Sequence, residues 1–217
     1  MKIKTVIRQI ISNSVIATLM LNFSACENQT PLAPSNSESQ NEIQIISFDN
    51  LSPTLNKGSI QDSTVVTVAE GGNLSLTYNY NPDNATDSTD FNGDFEELNP
   101  IEFSKDSRVF IKFDVLPGAV DNDTTVYIRL NTQRIDLNFS PHGLVFNKPA
   151  KLTIIAGGLN LKKVNTETLA LYYDNQDTGQ WERMNYETFV VIEEYGYIKI
   201  VGAEIPHFSR YALAWSR

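Results

Sequence analysis

Scarcity is the first thing this 217-residue chain shows: one cysteine, two histidines, and 17 basic residues against 26 acidic ones. A lone Cys26 has no partner for an intrachain disulfide. Two histidines and one cysteine are too few for a His/Cys metal cluster. There is also no Gly-x-Ser-x-Gly elbow and no glycine-rich phosphate loop, so conventional hydrolase and nucleotide chemistry have no motif to rest on. No cofactor is expected, and no turnover chemistry on other molecules. The net charge of −9 disfavours nucleic acid, whose phosphates demand a basic face. No apolar run approaches the roughly 20 residues that a membrane-spanning helix needs. No stretch keeps a 3.6-residue apolar period over three turns, so helices should be few and short.

The basic residues that do occur begin with Lys2, Lys4 and Arg8, followed by a short, mostly apolar stretch from Ile10 to Leu21 and then Asn22-Phe23-Ser24-Ala25-Cys26. Ser12, Asn13 and Ser14 make that stretch too polar to span hydrocarbon, and it matches a secretory signal over residues 1–25. Small residues before a solitary cysteine, directly after such a stretch, resemble the lipobox of bacterial lipoproteins, with Phe23 where that family usually has Leu. The resemblance implies cleavage between Ala25 and Cys26 and a diacylglycerol on the Cys26 thiol. It also implies a cell-envelope location, at the outer membrane, with the membrane reached through the covalent lipid at Cys26. One acyl chain binds a bilayer only marginally, at about 0.8 kcal/mol per buried CH₂, whereas two or three anchor durably. Loss of Lys2, Lys4 and Arg8 leaves 14 basic against 26 acidic residues, a balance near −12, so charge would not hold the remainder on anionic lipid.

Residues 26–42 are polar, with two prolines and almost nothing apolar, and read as a flexible tether after the lipidated cysteine. From residue 43 to 217 the signals are β. Leu74, Leu76, Tyr78 and Tyr80 share one face, as do Val109, Ile111, Phe113 and Val115. Leu116-Pro117-Gly118-Ala119 suits a type II turn. Ile135, Leu137 and Phe139 alternate with Asp136 and Asn138. Ser140-Pro141-His142-Gly143 then suits a type I turn, and Pro149 interrupts the next run, which predicts a strand start or an edge there. Further short strands are expected at Leu169–Tyr173, Trp181–Met184, Phe189–Glu193, Tyr197–Val201 and Tyr211–Trp215. Many short strands with close turns predict an all-β fold, a single antiparallel β-sandwich.

Four pieces of the chain together resemble the ZU-five domain of zonula occludens proteins, netrin receptors and ankyrins. Val115-Leu116-Pro117-Gly118-Ala119-Val120 stands where that family has an Ile-Pro-Pro-Gly-Ala-like turn. Ser140 to Pro149 is close to its Pro-His-Gly-Leu-x-Phe-x-Lys-Pro. His207-Phe208-Ser209 matches its closing His-Phe-Ser, and Gly71-Gly72-Asn73-Leu74 resembles its opening Gly-Gly-x-Leu. The likeness covers about residues 64–217 and implies a β-sandwich used for protein interaction, here with an envelope or extracellular protein partner. Two departures stand out. An acidic insertion covers about residues 79–105, and the chain ends soon after the His-Phe-Ser strand.

Three chemistries follow as expectations. Some relatives of that family cut their own chain between Phe and Ser. By resemblance, Ser209 is then the nucleophile, Phe208 the acyl side, and His207 or His142 the base. Such chemistry needs the serine hydroxyl to attack the preceding carbonyl and the peptide to be held distorted. The plainer expectation is that Phe208 belongs to the core. Second, Asp90-Phe91-Asn92-Gly93-Asp94 lies in an oxygen-rich run, which makes Asp90, Asn92 and Asp94 calcium candidates. In the EF-hand register, however, Asn99 falls where a bidentate Glu is required, so a solvated acidic loop is the expectation. Third, Trp181, Trp215, Tyr172, Tyr173, Tyr195 and Tyr197 could line a glycan platform, although strand aromatics more often pack across strands.

Overall fold

A computed structural model describes residues 42–48, 58–80, 98–105 and 107–216. Cys26, with the expected signal (1–25) and the expected tether up to residue 41, therefore lies outside the described residues, as do Asp90, Asn92 and Asp94.

Twelve strands make two antiparallel sheets packed face to face. They are β1 (Ile43–Ile45), β2 (Ser59–Val66), β3 (Gly72–Asn79), β4 (Arg108–Val115), β5 (Thr124–Asn131) and β6 (Asp136–Ser140). After these come β7 (Val145–Ala156), β8 (Ala170–Asn175), β9 (Gln180–Arg183), β10 (Thr188–Ile192), β11 (Tyr197–His207) and β12 (Arg210–Ser216). One sheet runs β2-β5-β6-β12-β8-β9, with β1 also paired to β12; the other runs β10-β11-β7-β4-β3. The all-β sandwich expected from the alternation is the fold observed. Its one α-helix among the described residues, α1 (Pro100–Lys105), has six residues.

The core lies between the sheets and is filled from the period-2 rows. Val109, Ile111, Phe113 and Val115 of β4 face Val126, Ile128 and Leu130 of β5 and Leu137 and Phe139 of β6, all buried. Phe110 and Ile155 are buried too, although they point to the opposite side of their strands. There α1 lays Phe103 over the five-stranded sheet, and Phe103, Phe110, Ile155 and Tyr197 form a second, smaller cluster. That outer cover accounts for the unbroken apolar runs in β4 and β7, because a strand buried on both faces loses its alternation.

Two local expectations need correction. Pro149 does not start a strand but lies inside the twelve-residue β7. It is tolerated because β4 pairs with β7 only from Lys151 onward, and the pairing with β11 slips between Ile205 and His207, so no ladder bond is required of Pro149. The turn after β6 is also displaced. Ser140–Pro141 is cis, and the turn bond runs from Leu144 N–H to the Pro141 carbonyl at 3.3 Å. Gly143 at its third position has φ of 79°, which makes Pro141–Leu144 a type II turn rather than a type I turn from Ser140. The turn at Leu116–Ala119 is type II as expected, with Ala119 N–H donating to Leu116 carbonyl at 3.1 Å and Gly118 at φ 72°.

The strand registers define two ends. Ile43 opposes Ser216, so the first described strand begins where the last one finishes. At the opposite end, Val66 opposes Thr124, Gly72 opposes Val115, Tyr127 opposes Ser140, and β12 begins at Arg210. With seven residues at about 3.3 Å each, β12 separates the two ends by roughly 20 Å.

Candidate functional site

His207, Phe208 and Ser209 form the corner between β11 and β12, at the end of the sandwich away from Ile43. Phe208 is 1% exposed, with its ring centroid 5.6, 5.3 and 5.1 Å from those of Phe113, Phe139 and Phe146. Four phenyl rings from β4, β6, β7 and this corner thus close the core at one end.

The backbone of the corner is pinned on both sides. Phe208 N–H donates to Leu144 carbonyl at 2.7 Å, Gly143 N–H donates to Phe208 carbonyl at 3.2 Å, and Phe139 N–H donates to Ser209 carbonyl at 3.0 Å. The exposed His142 places Nδ1 3.4 Å from the same Phe208 carbonyl oxygen. The His207 ring stands edge-on to Tyr173 at 4.8 Å, and its carbonyl accepts the Tyr211 hydroxyl at 2.7 Å. Burial, and secondarily Tyr173, pushes the Tyr211 phenol far above its ordinary range, which keeps it a donor.

This corner brings His142 against the Phe208–Ser209 peptide, 66 positions from Phe208 in sequence, and it adds Gly143, which the motif does not single out as a donor. An amide and an imidazole nitrogen both face the carbonyl that precedes Ser209. The Gly143 amide is a donor, and His142 becomes a second one in the tautomer that carries its hydrogen on Nδ1; donors so placed follow negative charge developing on an acyl oxygen. Proton removal is the missing half: among the described residues no hydrogen bond joins the buried Ser209 hydroxyl to either imidazole.

Behind the corner lies a charged network that the sequence did not advertise. Asp136, with its side chain 3% exposed, accepts Arg210 Nε on Oδ1 at 2.9 Å and Arg210 Nη2 and Arg134 Nε on Oδ2, each at 2.9 Å. Arg210 reaches on to Asp174 at 3.2 Å and lies 5.0 Å over the Trp181 ring. The hydrogen bonds to Asp136 raise the Arg210 pKa further, so the guanidinium stays charged. Its effect is to clamp β6, β12 and β8 beside Ser209.

The remaining aromatic candidates do not share one surface. Tyr195 and Tyr197 belong to the cluster under α1, Trp181 and Tyr172 to a small cluster on the outer face of the other sheet, and Tyr173 and Trp215 pack against the main core. Among the described residues no group of three His, Cys, Asp or Glu could hold a metal, and no helix is long and apolar enough to cross a membrane.

The same end of the sandwich also gathers exposed apolar side chains. Val145 is 69% exposed, Leu116 45% and Val68 39%. The segments that carry them are bonded to one another: Gly118 N–H donates to Val68 carbonyl at 2.8 Å, and Asn147 N–H of β7 donates to Ala119 carbonyl at 2.9 Å. The segments around Leu116, His142 and Phe208 therefore form one continuous end-cap. Comparison with known proteins identifies no matching family model, no matching curated protein and no matching solved structure.

Proposed function

We propose that this chain is a membrane-anchored lipoprotein of the cell envelope whose β-sandwich, ZU-five-like in kind, holds a protein partner at the end-cap. The observation that carries this reading is the grouping of Val68, Leu116 and Val145, all exposed, on two turns and the start of β7, joined by hydrogen bonds at the end opposite Ile43. Exposed apolar side chains scattered singly mean little, but three on adjoining segments are the composition of an interaction surface. The tether leaves from the other end. Residues 27–42, extended at about 3.3 Å each, would let the sandwich stand up to about 50 Å from a lipid on Cys26, with the end-cap outermost. The three segments that carry the ZU-five resemblance in the second half of the chain meet in this cap, which supports treating them as one functional unit.

Two experiments test the halves separately. Intact mass of the membrane-extracted protein should begin at Cys26 and carry acyl mass; a chain recovered in the medium with an unmodified Cys26 overturns the anchor. A photo-crosslinking residue placed at Leu116 or Val145 should capture a neighbour in whole cells, and one at Lys162, near the opposite end, should not. Capture confined to Lys162 overturns the end-cap.

A second reading has one specific observation behind it. Gly143 N–H and His142 Nδ1 face the Phe208 carbonyl, as self-cleavage between Phe208 and Ser209 would require for the charge developing on that oxygen. Ser209 Oγ would attack that carbonyl carbon, its proton passing to the Ser209 nitrogen as the C–N bond breaks and the ester forms, and water would then hydrolyse the ester to the Phe208 carboxylate and the Ser209 hydroxyl. Because β12 lies between β6 and β8, a cut chain would stay assembled. The mass must therefore be taken after denaturation. A fragment from Ser209 to the C-terminus, lost in Ser209→Ala, supports this reading; a single uncut mass rejects it.

A further inference from the structure

The seven-stranded sheet ends at β2, and the outer side of this strand carries no further strand among the described residues. Which backbone groups face outward follows from its neighbours. Gly58, just before the strand, accepts the Thr132 amide at 3.1 Å, so even-numbered residues turn their amides toward β5. Thr67 exchanges two 2.9 Å bonds with Gly71 on the other side, so odd-numbered residues turn theirs away. At Val65 the outward carbonyl lies against Gly72 at the start of β3, although the Val65 side chain is 59% exposed. The open half of the edge is therefore Ser59, Gln61 and Ser63, all exposed.

Asp62 breaks the pattern of this strand. Ile60, Thr64 and Val66 occupy its core-facing row, with Val66 fully buried. Asp62 stands in the same row, directly opposite Ile128, which is also fully buried. It is nevertheless exposed, and its Oδ1 accepts the outward Ser63 N–H at 2.7 Å. A charge in the inward row of an edge strand is a means by which sheets resist the addition of another strand, and a capped amide adds to it.

We propose that Asp62 guards the β2 edge against a second copy of this chain. The two β2 strands would pair antiparallel about a two-fold axis at Gln61, with Gln61 opposite itself and Ser63 opposite Ser59. Ser59, Gln61 and Ser63 are uncharged, so the open half is self-complementary apart from Asp62. The Asp62 carboxylate opposes this pairing twice: it occupies the Ser63 amide that the register needs, and it brings a like charge to each side of the axis.

Sedimentation of the full chain over a concentration series tests the proposal. The wild type should stay monomeric. Asp62→Thr, which keeps a strand-forming residue without the charge or the cap, should associate about tenfold more tightly or better. Adding Ser63→Pro removes the outward N–H and leaves the β5 ladder intact, and it should restore the monomer. Asp62→Val, which likewise removes both the charge and the acceptor, serves as an independent second variant if the first fails to fold, which circular dichroism will report. A folded, monomeric Asp62 variant overturns the proposal. So does a dimer that survives Ser63→Pro, or a wild type that already associates as tightly as the variants.

Discussion

Alkaline titration of Tyr197→Phe against the wild type probes the packing of the outer cluster quantitatively. Tyr197 is 2% exposed beneath α1, with its ring edge-on to Phe103 at 6.1 Å, and burial pushes its phenol up to about 12 from an ordinary value of 10. The native state thus holds this proton more tightly than the unfolded chain does. Its contribution to stability is fully present below pH 10, the unfolded pKa, and is lost as pH rises through the folded value near 12. At about 1.4 kcal/mol per unit, the loss for Tyr197 alone reaches up to about 2.7 kcal/mol. Tyr211 is raised further still by burial and adds a similar slope, so the two together should cost about 2.7 kcal/mol per pH unit over this window. Urea unfolding at a series of alkaline pH values should show that slope in the wild type and about half of it in Tyr197→Phe. Smaller upward shifts of Tyr78, Tyr172 and Tyr173 are common to both proteins and cancel in the difference. Equal slopes in the two proteins, or phenolate absorbance showing Tyr197 ionising at its ordinary value, would refute the account.

Three further outcomes follow from the end-cap. Phe208→Ala empties a site touched by three other phenyl rings and should cost about 3–5 kcal/mol in equilibrium denaturation, with Phe208→Leu markedly milder. Gly143→Ala places a side chain at φ 79°, where nothing obstructs the added carbon but the backbone itself is strained. It should lower stability by about 1–2 kcal/mol, with Gly143→Asn less costly, as thermal unfolding will show. Arg210→Ala leaves Oδ1 of the buried Asp136 without its partner and should cost about 1–3 kcal/mol, while the paired change Asp136→Leu/Arg210→Met should recover much of that loss.

How much of this was legible in the chain depended on whether the signal was local. The period-2 rows of β4, β5 and β6 and the Leu116–Ala119 turn could be read because each is decided by residues one to four positions apart. Pro149 misled because its tolerance depends on which partner strand stops short, a fact about β4 and β11 rather than about Lys148-Pro149-Ala150. The outer cluster was invisible for a similar reason: six residues of α1 are too few for a helical period, yet they decide why Phe110 and Ile155 are buried. Past Gly202, the continuation of β11 to His207 was missed because a glycine at φ 68° and Pro206 look like a strand's end. In the end-cap the individual motifs were readable. That Gly143 donates to the Phe208 carbonyl, and that Asp136 clamps Arg210, follows only from registers joining residues more than sixty positions apart.

The chemistry of the Phe208–Ser209 peptide can be weighed from what surrounds it. Acyl transfer needs a donor to follow charge onto the carbonyl oxygen, a base to take the hydroxyl proton, and a peptide raised in energy before attack. Gly143 N–H and His142 Nδ1 supply the first requirement. Among the described residues the second has no candidate in contact: His142 faces the oxygen, and His207 packs against Tyr173. For the third, the bonds from Phe208 N–H to Leu144 and from Gly143 N–H to Phe208 are also the bonds that any well-packed corner would make to satisfy its buried backbone. Phe208 itself is accounted for by the phenyl cluster it completes. An arrangement that needs no chemistry to explain three of its four contacts argues for a corner selected to hold the end-cap in shape. The exposed turns carried on that cap, rather than the peptide beneath them, are where a partner would be met.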